Sequence, residues 1–174
     1  DEVLLHMVVP FAEWLDEAFG ATNPSGRLLP ADIAGRVETR RLLEWFNQKM
    51  FAEVTEWLVT EKVYRRFMTS AQGGGGPDMA AVRAARANIR HHLAYIGYLV
   101  SDRNWLAGPR MTFADLAAAA HLSCADYLGD VPWNDFDPAK AWYQKIKSRP
   151  SFRSLLSDRL LGMAPSAVYA DLDF

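Results

Sequence analysis

The apolar residues of this chain recur mostly at the three- and four-residue spacing that is typical of helices. Residues 10–18 carry a first short pattern of this kind, with acidic residues on the opposite side, and Gly20 supplies its end. Residues 1–5 resemble the end of a strand, and no strand is predicted after residue 9. The pattern therefore predicts a mainly helical protein that begins with a short helix.

Residues 31–67 contain no proline and carry a much longer helical pattern. Its main apolar row falls within an arc of about 80° at 100° per residue. This row consists of Leu43, Phe46, Met50, Val54 and Trp57. A second apolar row on a neighbouring face predicts a helix that is packed on two sides. The second row consists of Ile33, Val37, Phe51 and Leu58.

Four consecutive glycines, residues 73–76, interrupt this pattern, and Asp78 then stands where an N-cap belongs. The next helix is expected to run to about Val100. Its core row consists of Val82, Ile89, Leu93, Ile96 and Val100. Three arginines flank this row, and a solvated helix edge is the simplest interpretation, with a partner-binding basic strip as the alternative. These arginines are Arg83, Arg86 and Arg90.

Thr112 and Asp115 have the spacing of a capping box, in which each side chain accepts a hydrogen bond from the backbone of the other. The helix that follows, residues 116–128, is apolar almost all round and includes four consecutive alanines. We therefore expect it to lie at the centre of a helical bundle. Two more helices are predicted, one starting at Asp137 and one at residues 151–158.

Composition narrows the function classes. The 174 residues include 19 Lys and Arg against 21 Asp and Glu, and this balance argues against a general nucleic-acid binder. The longest nearly apolar run, residues 113–122, contains Asp115 and His121 and is far shorter than the ~20 residues of a membrane span. Cys124 is the single cysteine, so a reducing cytoplasmic location is expected.

Several segments resemble the C-terminal helical domain of the glutathione S-transferase superfamily. They are the short helix at residues 12–17, the sequence at residues 105–108, the capping box, and residues 142–152. The resemblance implies an all-α fold of the glutathione S-transferase C-terminal type, with a truncated remnant of a thioredoxin-like α/β domain. It assigns residues 1–20 to that remnant, residues 21–30 to a linker, and residues 31–174 to the helical domain with an extended tail.

A narrower resemblance is to the members of this superfamily that bind the bacterial, tubulin-like division protein FtsZ. It rests on residues 118–123, 126–133, 145–153 and 169–174. It implies a non-catalytic adaptor on FtsZ filaments, and a homodimer is implied by the superfamily. The tail alternates aromatic or apolar residues with acids, which suits docking. The expected contact residues are Tyr169, Asp171, Leu172, Asp173 and Phe174, with Trp133 and Arg153 as weaker candidates.

Two other interpretations of the tail stay open at this point. Leu172 and Phe174 can instead pack along their own domain while the acids face water, and physics alone favours neither arrangement. The tail can also serve homodimer packing, because isologous contacts are common in oligomers. Five tryptophans are expected to lie mostly in the core or at a domain interface, and Trp133, in the turn after Pro132, is the one expected to be partly exposed. The other four are Trp45, Trp57, Trp105 and Trp142.

The chain also offers a competing enzymatic interpretation. It is a glutathione transferase that conjugates glutathione to small electrophiles, with its catalytic N-terminal domain missing from this chain. The electrophile pocket would then be walled by Tyr64, Phe67 and Met68. Against it, the Glu-Ser pair with which the family grips glutathione aligns with Met7 and Val8, whose side chains cannot replace a carboxylate and a hydroxyl. Glutathione is the one cofactor expected, and only under this alternative.

No metal site is predicted. His121 and Cys124 stand three residues apart with Asp126 nearby, but two such ligands on an alanine-rich helix fall short of a structural zinc set. We interpret them as a hydrogen-bonded core histidine and a small buried thiol. His91 and His92 are adjacent and cannot share a helix face, so at least one is expected to face solvent or to bond to a neighbour.

Overall fold

A computed structural model describes residues 8–20, 22 and 26–174 of the chain. The expected strand at residues 1–5 and the position of Met7 lie outside the described residues. The first helix, α1 (Val8–Gly20), covers the short pattern predicted at residues 10–18. Asp16 of α1 accepts a hydrogen bond from the backbone N–H of Leu28 at 2.6 Å, which ties α1 to the segment that leads into the helical domain.

The remaining helices follow the predicted order. A continuous helical run, α2, covers residues 33–67, and four further α-helices come after it in the described chain. These are α3 (Met79–Asp102), α4 (Phe113–Tyr127), α5 (Asp137–Lys147) and α6 (Pro150–Ser157). Short 3₁₀ helices lie between them at Ser70–Gln72 and Trp133–Asp135. Within the described residues no strand forms, so the prediction of an all-α fold is confirmed. None of these described helices is long and apolar enough to cross a membrane.

α2 alternates between α-helical turns and wider π-helical turns. The π-helical segments are Trp45–Thr55 and Thr60–Tyr64. An α-helix turns 40° too far every four residues, because it has 3.6 residues per turn. The wider turns offset this drift, so buried residues repeat at intervals of four along the core side of α2. They are Phe46, Met50, Val54 and Leu58.

Two details of the α2 prediction are wrong, and the change of turn accounts for the first of them. Trp57, expected in the core row, is nearly half exposed, and Leu58 takes its place in the core. Most of the expected second row, Ile33, Val37 and Phe51, is also exposed. A pattern scored with a constant 100° per residue cannot register the change of turn.

α4 lies at the centre of the bundle, as predicted, and contacts both α2 and α5. Four of its six alanines are completely or almost completely buried, and they let the neighbouring helices approach closely. These residues are Ala114, Ala118, Ala119 and Ala125. The loss of large side chains here is offset by close packing of the surrounding aromatic and aliphatic residues.

The capping box at the start of α4 does more than begin a helix. Asp115 is buried and its Oδ2 accepts the backbone N–H of Thr112 at 2.9 Å. Its Oδ1 accepts two more N–H groups, from the Leu106 backbone at 3.0 Å and from the Trp142 indole at 2.9 Å. Burial raises the pKa of Asp115, and these donors act in the opposite direction. Asp115 thus joins the loop before α4, α4 itself and α5.

Two of the three arginines of α3 are ion-paired. Arg86 donates to Asp130 at 2.7 Å through its Nε, and Arg90 donates to Asp135 at 2.7 Å. Asp130 is buried and also accepts from Lys62 of α2 at 2.7 Å. The interpretation as a solvated edge therefore describes this strip better than a free basic surface does.

Candidate partner-binding site

The terminal segment, residues 166–174, folds back onto α4 and α5. At its start, the hydroxyl of Ser166 donates to the carbonyl of Asp126 at 2.7 Å, and its N–H donates to the carbonyl of Tyr127 at 2.9 Å. At its end, the amide of Gln144 donates to the carbonyl of Phe174 at 3.2 Å. The segment is therefore held at both ends by the bundle.

Tyr169 anchors the middle of the terminal segment. It is only 3% exposed, and its hydroxyl lies 3.1 Å from the Ser123 hydroxyl and donates to the Leu155 carbonyl at 3.3 Å. Its ring packs edge-on against Tyr127, with 5.0 Å between the ring centroids. The expectation that Tyr169 contacts a partner directly does not fit this arrangement, because its ring is buried inside its own domain.

Trp133 is also buried, so the prediction that it is the exposed tryptophan is wrong. It is 5% exposed, and its indole N–H donates to Asp126 Oδ1 at 2.9 Å. The indole stacks on Tyr143 with 4.9 Å between centroids and packs edge-on against Phe174 at 5.2 Å. A buried carboxylate on α4 provides the acceptor that lets a turn tryptophan enter the core.

Lys147, at the end of α5, lies under the terminal segment, although the sequence does not place it among the expected contact residues. Its side chain is completely buried, 3.4 Å from Asp126 Oδ2, and its ammonium donates to the carbonyl of Val168 at 2.8 Å. Lysines are rarely buried, so the residue type alone does not predict the burial of Lys147. The available signal was its spacing, since Lys147 follows Tyr143 by four residues and therefore shares the buried face of α5.

Burial disfavours both charges of this pair. It lowers the pKa of Lys147 and raises the pKa of Asp126. The attraction between the two groups, and the indole N–H of Trp133 on Asp126, favour the charged forms. An ion pair of this kind is costly to leave half-made, because either partner alone would be an uncompensated buried charge.

The terminal segment leaves its acids on the outside. Asp171 and Asp173 are exposed, whereas Leu172 and Phe174 are half-buried against the core. The backbone N–H of Asp173 donates to the Asp171 carboxylate at 2.9 Å, which holds the two acidic residues in a turn. Arg153 is exposed on α6. Of the predicted site, the structure thus gathers the five tail residues and Trp133 into one region, with two of these six buried.

The predicted electrophile pocket is only partly formed by the expected residues. A cavity of about 270 Å³ opens between α2, α4 and the segment after α6. Tyr64 lines it, but Phe67 and Met68 do not and are exposed instead. The other walls include Val59, Val63, Cys124, Tyr127, Leu155 and Leu160. Cys124 is exposed, so the expectation of a buried thiol is wrong. Partial desolvation in this wall still raises the pKa of its thiol, which disfavours the reactive thiolate form.

His121 and His92 are both engaged in hydrogen bonds inside the bundle. His121 Nδ1 lies 3.0 Å from the Thr55 hydroxyl, and its Nε2 lies 3.3 Å from the side-chain oxygen, Oδ1, of Asn47. His92 is buried while His91 is exposed, so the expectation for this pair is confirmed. Among the residues that the structure describes, no three His, Cys, Asp or Glu side chains come together in a way that could hold a metal ion.

Comparison with known proteins defines the class. The sequence model described as "Glutathione S-transferase, C-terminal domain" matches residues 57–150, more than half of the chain. The chain therefore belongs to the glutathione S-transferase family, through its C-terminal helical domain. The crystal structure of a glutathione S-transferase from Sinorhizobium meliloti is 52% identical and has a TM-score of 0.89, covering 94% of this chain and 71% of that one.

Within the family, the chain is similar to a curated protein and to a solved structure, both from Caulobacter, whose printed names are more specific. It is 54% identical over 153 residues to "FtsZ-localized protein A" of Caulobacter vibrioides, a match that covers 88% of this chain and 65% of the relative. It is 52% identical to the structure of "FzlA from C. crescentus", with a TM-score of 0.83 and coverage of 91% of this chain and 68% of that one. The chain thus spans slightly less than two thirds of the curated relative's length.

Proposed function

We propose that this chain is the helical part of a protein that associates with FtsZ filaments as a non-catalytic adaptor at the site of cell division. The observation that carries the proposal is the terminal segment, whose two acids are exposed on a base that is fixed to the bundle. The similarity to FtsZ-localized protein A supports the choice of partner. In this proposal residues 1–20 belong to a thioredoxin-like domain, residues 21–30 form the linker, and the protein is a homodimer.

In this proposal, different residues of the contact surface supply charge, apolar contact and support. Asp171 and Asp173 meet basic groups of the partner, and the half-buried Leu172 and Phe174 supply apolar contact at their exposed edges. Arg153 lies outside the segment and contributes a charge of opposite sign. Complementary charges of this kind set the partner and the rate of association more than the total affinity. Tyr169 and Trp133, which are buried in the bundle, hold this surface in place.

The test is co-sedimentation of the intact protein, including its N-terminal domain, with FtsZ polymer. We expect the wild type to co-sediment and Asp171→Lys to abolish this without lowering the melting temperature, because Asp171 is exposed. The control is Asp102→Lys, the same charge reversal at an exposed position at the end of α3. It should co-sediment like the wild type. Equal co-sedimentation of wild type and Asp171→Lys contradicts the proposed contact.

The apolar cavity favours a second function, that of a glutathione transferase whose helical domain binds the electrophile. Its volume of about 270 Å³ and the presence of Tyr64 in its wall are suited to a small aromatic molecule. The intact protein should then adhere to immobilised glutathione and conjugate a chlorinated aromatic substrate. If it does both and does not co-sediment with FtsZ polymer, the enzymatic function replaces the adaptor.

A further inference from the structure

The ammonium group of Lys147 lies where the terminal segment and the bundle meet. From the bundle side it faces Asp126 of α4 at 3.4 Å and the ring of Tyr143 on α5 at 5.7 Å from the centroid. From the segment side it is covered by the rings of Phe174 at 4.0 Å and Tyr169 at 6.0 Å. A desolvated cation is attracted to aromatic faces at these distances, so the rings replace part of its lost hydration.

One backbone carbonyl connects this buried charge to the exposed acids. The carbonyl oxygen of Val168 accepts the Lys147 ammonium at 2.8 Å, and it also accepts the backbone N–H of Asp171 at 3.2 Å. The Asp171 carboxylate in turn accepts the N–H of Asp173 at 2.9 Å. The placement of both acids therefore depends on a carbonyl that Lys147 holds.

We propose that Lys147 fixes the terminal segment on the bundle, so that residues 166–174 meet their partner as a preformed surface and not as a flexible peptide. This inference rests on the proposed function and adds how the contact is made. The partner surface that fits is a basic patch around an apolar spot, facing Asp171 and Asp173 on either side of Leu172. A segment ordered before binding does not lose conformational entropy during binding, which strengthens the contact.

Lys147→Met in the intact protein is the direct test, because methionine keeps much of the apolar stem and removes the ammonium. Lys145→Met is the matched control, since Lys145 is exposed two residues earlier on the same helix. Amide hydrogen exchange is measured first, without partner. We expect exchange of residues 166–174 to accelerate by roughly tenfold or more in Lys147→Met, with α4 unchanged, and no acceleration in Lys145→Met.

Co-sedimentation of the same variants with FtsZ polymer then tests the consequence for binding. We expect the apparent Kd of Lys147→Met to rise by roughly tenfold and that of Lys145→Met to equal the wild-type value. If Lys147→Met fails to fold because Asp126 is left as an unpaired buried charge, the variant Lys147→Met/Asp126→Asn removes both charges. The asparagine carbonyl can still accept the Trp133 indole N–H, and the same two results are expected.

Three results would overturn the proposal that Lys147 fixes the terminal segment. Unchanged exchange in residues 166–174 of a folded Lys147 variant is the first, and accelerated exchange with wild-type affinity is the second. The third is a synthetic peptide of residues 166–174 that competes for FtsZ polymer as well as the intact protein does. A wild-type protein that never co-sediments contradicts the proposed function instead, and the exchange measurement still decides whether Lys147 orders the segment.

Discussion

The ammonium nitrogen of Lys147 lies 4.0 Å from the centroid of the Phe174 ring, inside the domain and shielded from water. This contact joins the end of α5 to the end of the described chain. It gives the terminal segment a fixed path along the bundle, where Tyr169 and Phe174 face inward and Asp171 and Asp173 face outward. Of the arrangements left open from the sequence, the structure shows the one in which Leu172 and Phe174 pack along their own domain while the acids face water.

The hydrogen bonds of Tyr169 should contribute measurably to stability. Tyr169→Phe removes the hydroxyl that bridges the Ser123 hydroxyl and the Leu155 carbonyl, and we expect unfolding free energy to fall by about 1 kcal/mol. Urea unfolding of Tyr169→Phe, Ser123→Ala and the double variant measures the coupling between the two hydroxyls. Additive losses would show that the two groups do not interact.

The capping box predicts two losses of different size. Thr112→Ala should cost about 1 kcal/mol of unfolding free energy, as the loss of a helix cap does. Asp115→Ala should cost about 3 kcal/mol, because it also leaves the N–H groups of Leu106 and Trp142 buried without an acceptor. Asp78→Ala, at the exposed cap of α3, serves as the comparison with a loss of about 1 kcal/mol. Equal losses at Asp115 and Asp78 would contradict the wider role of Asp115.

Glu38 gives the protein an acid-sensitive contact. The guanidinium groups of Arg41 and Arg103 donate to its carboxylate and lower its pKa from 4.5 to about 2. A carboxyl with a lowered pKa stabilises the fold above its unfolded pKa, and this contribution is lost as the pH falls from 4.5 towards 2. After solvent screening, the contribution is on the order of 1 kcal/mol. Glu38→Gln should remove it, so that the stability difference from wild type shrinks as the pH falls through that interval.

At a given pH near neutrality, a larger share of His92 should be neutral than of a histidine in water. Burial lowers its pKa below 6.5. The Trp45 indole can only donate, so His92 Nδ1 accepts its N–H at 3.2 Å, and Nε2 carries the proton towards Glu53 at 3.0 Å. A lowered histidine pKa means that its contribution to stability is present above 6.5 and is lost as the pH falls below that value.

Nitrogen NMR of the imidazole checks this assignment. The spectrum at pH 6.5 should show the Nε2-protonated neutral ring, and the midpoint of its titration should lie below 6.5. An imidazolium signal for His92 that persists above pH 6.5 would contradict the hydrogen-bond network around Trp45.

Local signals in the sequence predicted the fold well, but the sequence analysis did not predict the long-range polar contacts. The capping residues Asp78, Thr112 and Asp115 act on neighbours within three positions, so spacing alone identifies them. The burial of Trp133 depends on Asp126, seven residues away, and that of Tyr169 depends on Ser123, 46 residues away. No helical or turn pattern contains these partners.

The candidate site shows the same division. Alternation of acids with aromatic and apolar residues drew attention to the terminal segment, and the structure places those acids outside. Lys147, which holds the segment from the inside, is of a residue type that is normally solvated. Its burial needs Asp126, Val168 and Phe174 together. Such a site can be recognised only once the elements that supply its partners have been packed.

The central claim is that the terminal segment is the surface that contacts FtsZ, and a hydrogen-exchange footprint tests it most directly. Exchange of the intact protein is measured alone and with saturating FtsZ polymer. The account predicts added protection in residues 166–174, centred on Asp171 and Asp173, with no change in α3. Protection that appears elsewhere on the intact protein and leaves residues 166–174 as they were would contradict it.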